Sequence, residues 1–261
     1  MLIDHPAIRR KVFYPRPSDA TPTLVVDVGE ARLACFLCHV DPAAGLLLHF
    51  HGNGALAAEY AADDVELFRR MGVNVCFAEY RGYGASTGEP ALGAMLGDGE
   101  RIVRALGVPP ERIVAFGRSL GSLYAIELAR RLPRLAGLII ESGVADVLEL
   151  IRLFLPDVAG LGTTEAELAT EVEAHFNLKR SLEGFAGDLL ILHAAGDRLL
   201  NASHARRLHD WAGAREKKLV LFETGDHNSI LFANLPAYLR EVDAFLRRAG
   251  IMADDRARPS P

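Results

Sequence analysis

Cysteine is scarce: Cys35, Cys38 and Cys76 are the three in a chain of 261 residues. So small and odd a number excludes a disulfide framework. Cys35 and Cys38 form a C-x-x-C pair, but a zinc site needs further ligands at suitable spacing and a thioredoxin-like motif opens a helix. This pair lies inside the strand-like run "ARLACFLCHV" and reads as buried strand residues. Excess positive charge is missing too: 29 Lys and Arg against 34 Asp and Glu give a formal net charge of -5. With no basic stripe, neither nucleic acid nor an anionic membrane is an expected partner. No run approaches the ~18 apolar residues of a membrane span. The first residues, "MLIDHPAIRRKVFYPRP", show neither a signal-like apolar core nor a cleavage pattern, so a cytoplasmic protein without a stable membrane anchor is expected. Repeats and low-complexity segments are absent. The polar stretch 253–261 is expected to be a disordered tail.

Half of the residues are hydrophobic, enough for a sizeable core. They fall into alternating strand-like and helix-like segments. "TLVVDVGEARLACFLCHV" reads as a hairpin turning at Gly29-Glu30, and "GLLLHFHG" as a strand buried on both faces. Further strands are expected at 73–80, 113–117, 135–142, 188–195 and 217–225. Helices are expected at 55–72, 90–106, 120–131, 202–212 and 229–249. The rhythm breaks over 145–187, which carries two amphipathic segments and a Thr164/Glu167 capping box. The fold class is therefore α/β: one domain over 1–261, with a mostly parallel sheet, helices on both faces and a helical cap inserted at 145–187. Such sheets bind ligands beyond the carboxyl ends of their strands.

Gly117-Arg118-Ser119-Leu120-Gly121 sits where a strand turns into a helix. That context is what a nucleophile elbow requires: flanking glycines relieve a turn so sharp that the serine is pushed outward. A serine hydroxyl needs a base, and the base needs an orienting carboxylate. His227 in "ETGDHNS" and Asp197 in "HAAGDRLL" both follow late strands and are the expected base and acid. Glu141, at a strand end, and Asp226, next to His227, are the competing carboxylates. Two backbone N–H donors for an oxyanion are expected at Leu120 and, in "HFHGNGA", at Asn53. Ser122 is read as a helix packing residue. His49 and His51 alternate along a strand without further ligands and are read as structural; no metal is expected. "EYRGYGASTGEP" lacks the spacing of a dinucleotide loop, so no nucleotide or other cofactor is expected either.

With "HGNG", "EYRGYGASTGEP", "FGRSLG", "HAAGD" and "GDHN" in this order, the sequence resembles the α/β-hydrolase superfamily, and within it the abhydrolase-domain serine hydrolases that include protein depalmitoylases. The resemblance begins near "KVFYPRP" and weakens across the cap. It implies an eight-stranded, mostly parallel sheet and the triad Ser119, Asp197 and His227. Ala194 stands where the family has a glycine, with the spacing to the aspartate kept. Depalmitoylation is not carried over.

The expected activity is hydrolysis of a small-molecule carboxylic ester or thioester through an acyl-enzyme. Apolar residues at 148, 151, 153–155 and 158 suggest an acyl site in the cap. The alternatives are a serine aminopeptidase-like peptidase, gripping an amine through Glu165, Glu167, Glu171 or Glu173, and a non-catalytic ligand-binding protein on the same fold.

Overall fold

The computed structural model describes residues 1–253; positions 254–261 of the expected tail lie outside the described residues. Ala253 itself is buried, and its N–H donates to Gly72 O at 2.8 Å.

The strands are β1 (Leu24–Asp27), β2 (Arg32–Cys38), β3 (Leu46–Phe50), β4 (Asn74–Ala78), β5 (Ile113–Arg118), β6 (Gly137–Glu141), β7 (Asp188–Ala194) and β8 (Lys217–Phe222). They form one eight-stranded sheet in the order β1-β2-β4-β3-β5-β6-β7-β8. β1 and β2 are antiparallel to each other, and β2 is antiparallel to β4; all other pairings are parallel. The hairpin turns at Gly29, whose φ of 88° needs glycine. From β3 the chain crosses to β4 on one side and to β5 on the other. The connections leaving the carboxyl ends of β3 and β5 therefore run to opposite sides and leave a crevice at that switch point.

The helices are α1 (Pro6–Val12), α2 (Ala57–Asp63), α3 (Val65–Arg70), α4 (Asp98–Leu106), α5 (Gly121–Arg131), α6 (Val147–Phe154), α7 (Glu165–His175), α8 (Leu178–Glu183), α9 (Ser203–Trp211), α10 (Ile230–Ala233) and α11 (Leu235–Arg248). Strand alternation sorts the core into two layers. Leu46, Leu48 and Ala115 face the layer containing α4, α5, α8 and α9, whereas Leu47, Val114 and Phe116 face the layer containing α2, α3 and α11. Leu47 and Leu48 are fully buried, each worth about 1.5–3 kcal/mol of transfer free energy.

Three expected helices differ in extent. The helix of 55–72 breaks at the adjacent carboxylates Asp63 and Asp64. That of 90–106 begins only at Asp98, because Gly93 is packed under Met1 and Ile3 with its N–H donating to Asp4 Oδ1 at 2.7 Å. That of 229–249 divides at Asn234, since Pro236 has no N–H to continue the ladder and its ring crowds the carbonyl four residues back.

Between β6 and β7 lie α6, a short 3-10 turn, α7 and α8. α6 packs on α1, while α7 packs on α6 and on the N-terminal turn Leu2–Asp4. α8 packs on α5 and α9, in the layer that covers the sheet. The capping box stands at the start of α7, with Glu167 N donating to Thr164 Oγ1 at 3.2 Å and Thr164 N to a Glu167 carboxylate oxygen at 2.9 Å. Among the described residues no helix is long and apolar enough to cross a membrane.

Candidate active site

Ser119 links the end of β5 to α5 with φ of 51°, in the left-handed region that a residue with a side chain rarely adopts. Its two flanking glycines let the turn close. A Cβ on Gly117 would lie 2.6 Å from Ser122 Cα, and one on Gly121 would run into the carbonyl oxygens of Phe50 and His51. α5 can thus sit against β3 and β5 with Ser119 raised at the crevice. Ser119 N donates to Glu141 O at 2.9 Å, which fixes the elbow to β6.

Three side chains from three loops meet there. His227 Nε2 lies 2.9 Å from Ser119 Oγ, and His227 Nδ1 lies 2.7 Å from Asp197 Oδ2. Asp197 Oδ1 accepts from the Leu199 and Leu200 N–H groups, each at 2.9 Å. With its carboxylate so oriented, Asp197 accepts a hydrogen bond from His227 Nδ1–H, which leaves Nε2 as the acceptor for the serine hydroxyl. Burial alone would raise the Asp197 pKa; the His227 hydrogen bond and charge, the Leu200 amide and His193 outweigh it and hold the carboxyl below its ordinary value. The Leu120 and Asn53 N–H groups have no acceptor among the described residues and stand at the same cavity as Ser119. Asn53 is pinned by its side chain: Oδ1 accepts from Tyr83 OH at 2.7 Å and Tyr14 N at 3.1 Å, and Nδ2 donates to Val12 O.

No family model matches the chain. It is 26% identical over 204 residues to human Alpha/beta hydrolase domain-containing protein 17B, covering 76% of this chain and 66% of that one. It is 27% identical over 194 residues to Uncharacterized protein YfhR of Escherichia coli K12, covering 72% and 64%. The chain thus spans about two thirds of the length of these curated relatives. Among solved structures, Est1E of Butyrivibrio proteoclasticus superposes with a TM-score of 0.70 at 17% identity, covering 87% of this chain and 98% of that one. Alpha/beta hydrolase domain-containing protein 10 from mouse gives a TM-score of 0.67 at 17% identity, covering 86% and 98%. The chain has the α/β-hydrolase fold.

Within this hydrolase fold the competing groups are engaged elsewhere. Glu141 Oε1 accepts from Arg118 Nε at 2.9 Å, and its Oε2 accepts from Tyr238 OH. Asp226 is exposed and caps its own turn, accepting from Asn228 N and Ser229 N at 3.0 Å each. Ser122 Oγ is buried, donating to Ser119 O at 2.6 Å and accepting from Val144 N at 3.0 Å. His51 is buried between Glu79 Oε1 and its neighbour's carbonyl, Gly52 O, at 2.7 Å each. No cluster of three or more His, Cys, Asp or Glu side chains able to hold a metal occurs among the described residues.

Two participants escaped the sequence reading. Arg118, inside the elbow itself, is largely buried. Besides its ion pair with Glu141, its Nη2 donates to His227 O at 3.0 Å and Asn228 Oδ1 at 3.2 Å. It therefore ties the elbow, the end of β6 and the histidine loop together. Burial opposes the Arg118 charge, but Glu141 outweighs it and the guanidinium stays ionised. His193 stands behind the acid with Nε2 3.6 Å from Asp197 Oδ2 and 2.8 Å from Leu200 O. Only the strand–loop position of "HAAGD" pointed there, and it pointed to the aspartate.

The cavity at Ser119 measures about 220 Å³. Its walls beside Ser119 and His227 are apolar: Val12 and Tyr14 from α1 and the turn after it, Leu150 and Phe154 from α6, Leu199 and Leu200 from the loop of Asp197. Of the residues expected to form an acyl site, Phe154 lines this cavity, whereas Ile151 is fully buried in the core and Leu153 is exposed. None of the four glutamates weighed for gripping an amine lines it. Glu165 pairs with Arg152, Glu167 closes the capping box, Glu171 accepts from Ile3 N and Glu173 from Asn177 Nδ2.

Proposed function

We propose that the protein is a serine hydrolase of carboxylic esters or thioesters with an apolar acyl group. The observation that carries this reading is the Ser119–His227–Asp197 relay, with both hydrogen bonds under 3 Å, opening on an apolar cavity. In this reaction His227 Nε2 takes the Ser119 proton as Oγ attacks the acyl carbonyl carbon. The tetrahedral oxyanion is held by the Leu120 and Asn53 N–H groups, each worth about 3–4 kcal/mol of barrier. Asp197 keeps the imidazole in the tautomer that accepts at Nε2 and stabilises the imidazolium. The proton then passes to the leaving oxygen or sulfur, the alcohol or thiol departs, and water attacks the acyl-Ser119 ester with His227 again as base. Deacylation releases the acid and restores Ser119.

The apolar walls support acyl over amino-terminal recognition, because among the described residues no carboxylate lines the cavity to receive a substrate ammonium. A fluorophosphonate probe tests the chemistry, with an adduct expected on Ser119 of the folded protein. An unlabelled serine in folded protein would leave a binding protein on this fold. Aryl esters and thioesters of graded chain length, run against aminoacyl amides, test the substrate class; preferential cleavage of the amides would point to a peptidase.

A further inference from the structure

A second cavity, of about 270 Å³, lies on the far side of the sheet from α5, between α2–α3 and α10–α11. Its floor is formed by His49, Phe116 and Glu141 on β3, β5 and β6. Aliphatic and aromatic side chains line most of it, among them Tyr60, Phe68, Leu239 and Val242. At its inner end Arg118 and Asn228, which also line the cavity at Ser119, form the wall between the two.

The charges around this cavity are not balanced. Of its four carboxylates, Glu59 is paired with Arg16 and Glu141 with Arg118. Asp63 and Asp64 have no ion partner among the described residues. Asp63 is exposed and Asp64 half-buried, at the break between α2 and α3. Burial first, and then the Asp63 charge, raise the Asp64 pKa, as expected of a carboxylate short of a cation. Phe232, 73% exposed, also lines this cavity and presents an open aromatic face. On the floor, His49 is 3% exposed and its ring lies 4.6 Å from that of Tyr60 and 4.8 Å from that of Phe116. Its Nδ1 is buried without a hydrogen-bond partner among the described residues, an arrangement that native cores rarely leave unfilled. Burial pushes the His49 pKa well down, so the ring is neutral and adds no positive charge to the floor.

We propose that this cavity is a second ligand site, for a small amphiphilic cation: an apolar or aromatic body inside, and an ammonium head at the mouth between Asp63, Asp64 and Phe232. The apolar lining removes the body from water, the two carboxylates attract the head, and the exposed ring adds a cation–π contact. The same carboxylates repel a fatty acid or any other anionic amphiphile. The occupant rests against Arg118, whose other contacts hold the histidine loop.

Titration calorimetry with hexyltrimethylammonium, hexanol and hexanoate tests this without reference to hydrolysis, so its outcome is separable from that of the proposed reaction. Saturable binding of hexyltrimethylammonium at one site is expected, with hexanoate at least tenfold weaker. Leu239→Phe and, independently, Val242→Phe fill the cavity and should abolish binding in protein whose near-ultraviolet circular dichroism stays native. Asp63→Asn and Asp64→Asn should each weaken it about two- to fivefold. The proposal is overturned by absence of saturable binding to the wild-type protein, by equal binding of hexanoate, or by binding that survives a folded cavity-filling variant.

Discussion

Ser119 is held in a strained backbone conformation, and the strain is sustained by the packing of Gly117 and Gly121 against α5 and β3. Its side chain donates no bond that the fold depends on. Ser119→Ala should therefore lower turnover by about 10⁴-fold or more while leaving the melting temperature within a degree or two; esterase assays beside a thermal melt check both. Asp197 links the site to stability. Its folded pKa lies below the ordinary carboxylate value near ~3.9, so its ionised form favours the fold at pH above that value. The contribution is lost as pH falls through the lowered pKa. The stability gap between wild type and Asp197→Asn, measured by urea unfolding, should be constant from pH 5 to 7 and shrink below about pH 4; a gap that widens on acidification would contradict the assignment. The Ser119–Asp197–His227 arrangement was legible in the sequence because each member follows a recognisable strand and lies within two residues of a glycine that marks a turn or loop. Arg118 was not, because the sequence places a charged residue in the elbow without saying which way its side chain turns. Its partners come from positions 141, 227 and 228, brought near only by the sheet order.

At the scale of elements, that arginine joins the paired ends of β5 and β6 to the histidine loop. Arg118→Met leaves Glu141 buried with Tyr238 as its remaining side-chain partner, and should cost about 3–5 kcal/mol. Glu141→Gln should cost a similar amount by leaving the guanidinium unpaired. The double variant should be more stable than the sum of the two losses implies, which a double-mutant cycle by chemical denaturation measures. The contribution of α6 is different: Phe154 stands over the cavity at Ser119, with its ring 6.0 Å from that of Tyr14. Phe154→Ala should shift preference toward longer acyl chains, read as a change in the ratio of kcat/KM between short and long aryl esters. The strands were predictable because apolar runs between glycines have few other fates. Helix ends were less so. Pro236 gives a local reason for one break, but the late start of α4 depends on Gly93 meeting Met1, Ile3 and Asp4, a contact between distant segments.

For the whole molecule, three histidines sit in the interior with pKa values held below the ordinary ~6.5, burial being the first cause in each: His49, His193 and His204. The unfolded chain takes up protons at these positions at a pH where the folded protein does not. Stability should therefore begin to fall as pH drops below about 6.5, by up to about 1.4 kcal/mol per pH unit for each histidine. A melting temperature that is flat between pH 7.5 and 5 would contradict this, and His49→Phe should flatten the slope.

The two ends of the described chain lie at opposite ends of the parallel strands. Residues 251–253 are stitched to the beginnings of β3 and β4, through Gly45 N to Ile251 O at 2.7 Å and Ala253 N to Gly72 O. The first residues instead pack on α7 through Ile3 N to Glu171, and Val12 and Tyr14 line the cavity at Ser119. Five residues of β3, about 16 Å of extended chain, separate the two levels. A purification handle or surface tether joined downstream of Ala253 would therefore leave the Ser119 crevice facing outward, whereas cargo fused ahead of Met1 would attach to the segment that supplies Val12 and Tyr14 to the cavity. Immobilised or fluorescently tagged forms of the protein should be built from the carboxyl side.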